Sequence, residues 1–355
     1  MRPYRLTRAA LESLPSDAAL VLAQDVRDAA GAVVAHKGAY LTNDARQGIA
    51  LADWSELHAI ILEPGDVHET EAGRRVSAAV AGRNVTVGGM TAGHWPLMSA
   101  TRGVVAIDTD CLQQINALDG IALYTLFDGQ VVAERETVAR AKIVPFAVAD
   151  ATVTRAEQLA RAQGGAVHIR RFVPTRAAAI IVESLGERAI ARAHAVLAEK
   201  VAWFGSTLLP ARHALPDHER LAAAVRDVST LGAQLVIVAG ARPMDPLDPA
   251  YAALADLGAN LERQGMPAHP GSLLWLAYLP ATQTSSERTV IGLPSCGLFS
   301  QASVFDLLLP RILAGERLTN NTLAALGHGG LLTRDMQFRF PPYRSGARRG
   351  EVLEE

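Results

Sequence analysis

Three short loops carry the residue types that could hold a charged ligand. In the first, Glu183-Ser184-Leu185-Gly186-Glu187 follows the apolar run AAAIIVES. A helix starting there presents unpaired backbone N–H groups, which suit an anion near Ser184 and Gly186. Glu187 works against a phosphate, and a plain strand-to-helix connection accounts for the same residues. The second loop is Gly240-Ala241-Arg242-Pro243-Met244-Asp245. Gly240 permits a sharp turn off a strand, and Arg242 offers a planar fork that matches phosphate with two hydrogen bonds. Asp245 could accept from the amino edge of a heterocycle or bind a cation such as Mg²⁺ through oxygen. It is the one candidate for a catalytic role. The competing reading is that Asp245 or Asp248 caps a helix opening at Pro249. The third loop is Gly292-Leu293-Pro294-Ser295-Cys296-Gly297. Its small residues allow close backbone approach. Cys296 is a reactive thiolate if exposed at a helix terminus and a small hydrophobe if buried.

These loops need strands and helices to place them. AAAIIVES (177–184) and QLVIVAG (234–240) are continuous apolar runs, as expected of strands buried on both faces. STLLPARHAL reads as a weaker strand; SLLWLAYL (272–279) and RTVIGLP (288–294) are two more. Helices are predicted over about 187–203, over HERLAAAVRDVSTLG after Pro216–Asp217 with Gly232 as a C-terminal cap, over AYAALADLGANLE, and over 300–315 with Ser300 as N-cap. This alternation predicts βαβ crossovers and a three-layer α/β/α, doubly wound, mostly parallel, Rossmann-like sheet over 170–315. In such a sheet, ligands bind beyond the carboxyl ends of the strands. Residues 1–165 read as a mixed α+β region, two subdomains being one option. Its strand-like runs lie at 19–26, 58–66, 103–110 and 141–148, with helices at 70–82 and 154–163, the latter capped by Thr152 or Thr154. Residues 316–355 form a C-terminal extension, solvated from about 338.

Composition bounds the function. At roughly 100–200 residues per domain, 355 residues imply two or three domains. A formal net charge of −2 gives no global basic field, so nucleic acid is not the expected partner. Two distant cysteines, Cys111 and Cys296, make no disulfide framework. No run approaches the ~18 apolar residues that span a bilayer, and the first twelve residues carry charge throughout, so a soluble cytoplasmic protein is the expectation. The ten His show no zinc spacing; GxGxxG after a strand, GxxxxGK[ST] and GxSxG are all missing. Asp108 and Asp110 read as a strand-end turn, and His213 and His218 as loop-side residues.

At the three loops a family becomes visible. QLVIVAGARPMDPLDPAYAAL, QGMPAHPGSLLWLAYL and RTVIGLPSCGLFSQASVFDLLLPRILAG resemble the molybdopterin-binding domain. That domain occurs in gephyrin-type molybdenumtransferases and in bacterial proteins fused to a molybdenum-cofactor nucleotidyltransferase. IVPFAV (143–148), HPG (269–271), GLP before Cys296 and GHGGLL (327–332) are closer to the second group. The resemblance covers about 140–332. It implies a protein that binds molybdopterin or the molybdenum cofactor for maturation, storage or delivery to a recipient molybdoenzyme, as a homo-oligomer. The site implied is Ser184, Gly186, Gly240, Ala241, Arg242, Asp245, Gly271, Ser272, Pro294, Ser295, Cys296 and Gly297. The departures are specific. AGARPMD stands where the transferases carry GG-hydrophobic-S-x-GD, ESLGE where they carry TGDE, and GLPSCG where they carry GLPGNP. An active transferase is therefore the alternative; a nucleotide pyrophosphate hydrolase on the same fold and a ligand-free scaffold are further ones.

Overall fold

The computed structural model describes residues 1–15, 18–182, 186–283, 285–294 and 303–343. It is an α/β protein with mixed sheets, and the chain forms two compact units. The first comprises 1–101, 105–126 and 132–169; the second comprises 102–104, 127–131 and the chain from 170 onward.

The first unit has two cores. One gathers Leu6, Leu20, Leu22, Ile49 and Leu57 around an antiparallel sheet ordered Arg2–Thr7, Glu56–Ile61, Leu20–Leu22. The other gathers Val76, Val80, Leu97, Ile115, Ile143, Val153 and Ile169. Its sheet runs Ile121–Thr125, Thr137–Ile143, His94–Ser99, Val85–Val87, packed against helices Glu69–Val80, Thr109–Asn116 and Asp150–Ala162. Asp108 caps the second of these by accepting from Cys111 N (2.8 Å), so it does more than turn a strand end. The third starts earlier than its sequence signals place it. Its N-cap is Ala149 without a side-chain cap, and Thr152 and Thr154 lie inside the helix.

Among the described residues the second unit is built on seven strands: β1 (Arg176–Ile181), β2 (Thr207–Leu208), β3 (Arg212–His213), β4 (Leu235–Ala239), β5 (Asn260–Gln264), β6 (Trp275–Leu279) and β7 (Arg288–Leu293). Their order is β2-β1-β4-β7-β6-β5, with β3 also paired to β1. The helices are α1 (Glu187–Trp203), α2 (His218–Thr230), α3 (Pro249–Asp256), α4 (Val304–Leu313) and α5 (Asn320–Ala324). Period-2 alternation divides the sheet side chains between two cores. Ala177, Ala179 and Ile181 join Leu197 and Val201 of α1 and Phe305, Leu308 and Leu309 of α4. Ala178 and Ile180 join Leu221 and Val225 of α2 and Ala253 and Leu254 of α3. This two-sided burial is why β1 and β4 read as unbroken apolar runs.

Among the described residues the sheet is mixed, with four parallel strand pairs, as a mostly parallel sheet requires, and two antiparallel ones. β2, β3, β4 and β7 join through parallel pairs, whereas β6 is antiparallel to both β7 and β5. The cause is connection length. Residues 280–287 and 265–274 are too short for a crossover helix, so these strands return as hairpins. The helix expected through Glu262 ends at Asp256, because Gly258 takes φ +64° and the chain turns into β5. Asp217 caps α2 and Gly232 (φ +84°) follows its C-terminus. The last long helix is capped by Ser303, whose partner in a capping box is Asp306; the expected cap Ser300 lies outside the described residues. The extension is not solvated throughout, since Phe340 and Pro341 are buried. Among the described residues no helix is long and apolar enough to cross a membrane.

Gly292 of β7 faces Trp275 of β6 across an antiparallel pair. A Cβ at 292 would lie 1.9 Å from the fully buried indole. Gly292→Ala is therefore expected to lower stability by about 1–3 kcal/mol, the range for overpacking a filled core. Urea unfolding measures it, and wild-type stability in the variant would show that the indole has room to move.

Candidate functional site

The hydrogen-bond register of the parallel strands sets where the loops begin. Ile181 lies opposite Ala239, and Ala239 opposite Leu293. Val182 N donates to Ala239 O (2.9 Å) and Gly240 N to Leu293 O (2.9 Å). The three sequence-selected loops thus leave the carboxyl ends of three adjacent strands. β6 runs the other way and opens with Trp275 opposite Gly292. The turn before it, with Gly271 and Ser272, arrives at the same end of the sheet.

Loop 240–248 is held by its own polar groups. Gly240 has φ +92°, a conformation that strongly favours glycine. Asp248 is buried and accepts from Arg242 N (2.6 Å) and from Ala250 N (2.7 Å), so one carboxylate braces the loop and caps α3. Pro243 O accepts from the Tyr251 hydroxyl (3.0 Å) and from Gln264 Nε2 (2.7 Å). Asp245 is exposed and accepts from Leu247 N (2.9 Å), a local turn. Ala241 is buried in the core beneath. Arg242 is exposed, and among the described residues its guanidinium has no hydrogen-bond or ion-pair partner.

The other sequence-selected residues divide. Gly186 is the N-cap of α1, with an exposed backbone. Gly271 has φ +112°, and the space a side chain would take there is closed by Val304, 3.0 Å away. Its close approach is to the start of α4. Ser272 contributes its carbonyl to Met266 N (2.8 Å). Pro294 is buried. Ser184, Ser295, Cys296 and Gly297 lie outside the described residues. His213 stands in β3 and His218 begins α2. Among the described residues no group of three or more His, Cys, Asp and Glu could hold a metal ion.

The sequence reading missed a charged cluster inside the same unit. Lys200 of α1 (5% exposed) donates from Nζ to Oδ1 of Asp306 of α4 (0% exposed), at 2.7 Å. The Tyr343 hydroxyl donates to the same oxygen (2.9 Å), and Ser303 N donates to Oδ2 (3.0 Å). Burial pushes the Asp306 carboxyl above its ordinary value, with Lys200, Tyr343 and Ser303 pulling the other way. Burial and the neighbouring carboxyl push the Tyr343 hydroxyl well up. Two signals were present in the sequence. Lys200 is one of three lysines among 34 basic residues, and it continues the Ala193, Leu197, Val201 stripe that α1 buries.

No protein-family model matches the chain, and neither does any curated protein.

Removing one partner of a buried pair leaves an uncompensated charge. Lys200→Met should cost about 3–5 kcal/mol in urea unfolding. The double change Lys200→Met with Asp306→Asn keeps acceptor and donor groups for Ser303 and Tyr343, and should recover part of that loss. A Lys200→Met variant as stable as wild type would show that the pair is not a buried ionic contact.

Proposed function

We propose that the second unit binds a molybdopterin-class ligand beyond the carboxyl ends of β1, β4 and β7, and that the protein stores or delivers this cofactor. The proposal includes the finer fold assignment, a three-layer, doubly wound domain of the molybdopterin-binding kind. The observation that carries it is Arg242, whose guanidinium has no partner among the described residues, just beyond the end of β4, where β1, β4 and β7 end in register. The resemblance of the sequence supplies the ligand class.

Each part of the loop has a role in this reading. Gly240 lets the backbone turn close to the ligand. Asp248 holds the amide of Arg242, so the guanidinium projects from a braced segment and can grip the terminal phosphate with two hydrogen bonds. Asp245 faces solvent and reads the pterin edge with the lone pairs its turn leaves open. Ser295 and Cys296 are assigned to the same ligand from the sequence alone. A recipient molybdoenzyme and a homo-oligomer belong to the same proposal.

A carrier is favoured over a transferase. Transfer chemistry needs charges held against the reacting atoms, and Asp245 is an exposed turn residue. A carrier needs only shape and a phosphate grip.

Titration with molybdopterin tests the site. Arg242→Ala should weaken binding by about 1.5–3 kcal/mol, the range for a charge-assisted hydrogen bond, with an unchanged melting temperature. Unchanged affinity removes Arg242 from the site. Active cofactor formed from adenylylated molybdopterin, molybdate and Mg²⁺ at an enzymatic rate would replace the carrier reading with the transferase one.

A further inference from the structure

A polar cavity of the same unit involves none of the loop 240–248 residues. β3 pairs with Ile180 and Ile181 at the carboxyl end of β1, and Ala214 N then donates to Ile181 O (3.0 Å). The chain continues through Leu215 into α2. That helix buries Leu221, Ala222, Val225 and Val228 against the sheet. Its outer stripe, Arg220, Ala223, Ala224 and Asp227, follows helical spacing and shares a cavity with Arg212 and His213. The cavity measures about 410 Å³, inside the range of small-molecule sites.

Charge makes this cavity notable. Among the described residues neither the Arg212 nor the Arg220 guanidinium has a hydrogen-bond or ion-pair partner, and the Asp227 carboxylate also has none. Elsewhere in the unit Arg170, Arg311 and Arg317 each meet a carboxylate. Two guanidiniums bordering one cavity without a counter-ion repel each other, and a bound dianion turns that repulsion into attraction. The guanidinium fork matches phosphoryl oxygens. Asp227, at the same cavity, can accept only from a donor. Ala223 and Ala224 leave the helix side of the cavity low, with room for a flat ring.

We propose that this cavity binds a phosphate monoester carrying an amino-bearing nitrogen heterocycle, with a nucleoside monophosphate as its simplest form. Arg212 and Arg220 hold the phosphate, and Asp227 accepts from the amino group. The proposal does not require a pterin at loop 240–248.

Calorimetric titration of the full chain with AMP, and separately with inorganic phosphate, is the test. Saturable AMP binding that weakens with salt is expected. Arg212→Gln and Arg220→Gln should each raise the AMP Kd by about tenfold or more, the scale of a charge-assisted contact. Asp227→Asn should weaken AMP severalfold and leave inorganic phosphate unchanged. All three side chains are exposed, so each variant should melt at the wild-type temperature. Absence of AMP saturation at millimolar concentration overturns the proposal. So does AMP affinity that falls in Arg242→Ala but holds in Arg212→Gln and Arg220→Gln, because the nucleotide would then occupy the other crevice.

Discussion

The register of three parallel strands is the constraint on which the candidate site depends. Ile181, Ala239 and Leu293 stand side by side at the ends of β1, β4 and β7. Every loop that leaves them starts within one strand spacing of the next, roughly 4.8 Å. The register is secured from both faces, because residues 177–181 of β1 and 235–239 of β4 alternate between two apolar cores. A slip of one residue would exchange the two sets and place every side chain against the wrong helices. Loop geometry at the sheet end is thus a consequence of packing many residues away.

Charged groups add a second level of definition. Lys200, Asp306 and Tyr343 tie α1, α4 and the C-terminal segment at one buried carboxylate. Buried pairs of this kind are poor sources of net stability but penalise arrangements that separate them. α4 opens at Ser303, beside Gly271. We place specificity of that junction in the Lys200–Asp306 pair and its capping box. Arg311 works similarly near the other end of the helix, with a two-point contact to Glu316 (2.9 and 2.6 Å) and a third to Asp128 (3.1 Å).

The sequence made β1, β4, α1 and α2 legible because their patterns are local: unbroken apolar runs, helical stripes and a capping Asp217. It did not make β5 legible. NLERQ is polar and follows a helix-like stretch, and its pairing comes from a hairpin partner, not from burial of its own side chains. The direction of β6 depended on connection length, which the apolar run itself does not encode. At the site, the positions of Gly240 and Arg242 were readable, since Gly and Arg at a strand exit have few other uses. The division of labour between Asp245 and Asp248 was not. Both precede Pro249 closely, and only the fold decides which carboxylate turns inward to cap. Gly271 and Gly292 make room for Val304 and Trp275, close approaches that no local pattern announces. Lys200 and Asp306 are 106 residues apart, and no local pattern couples them.

The central claim is that the crevice beyond β1, β4 and β7 carries a phosphorylated pterin. The most direct measurement is mass spectrometry of the small molecules released on denaturing protein purified from cells that make the molybdenum cofactor, with pterin fluorescence read in parallel. The expected result is a molybdopterin-derived species in near-stoichiometric amount, lost when Arg242 is replaced by alanine. Protein that releases no pterin from such cells, or that releases a different tightly held molecule, would contradict the account.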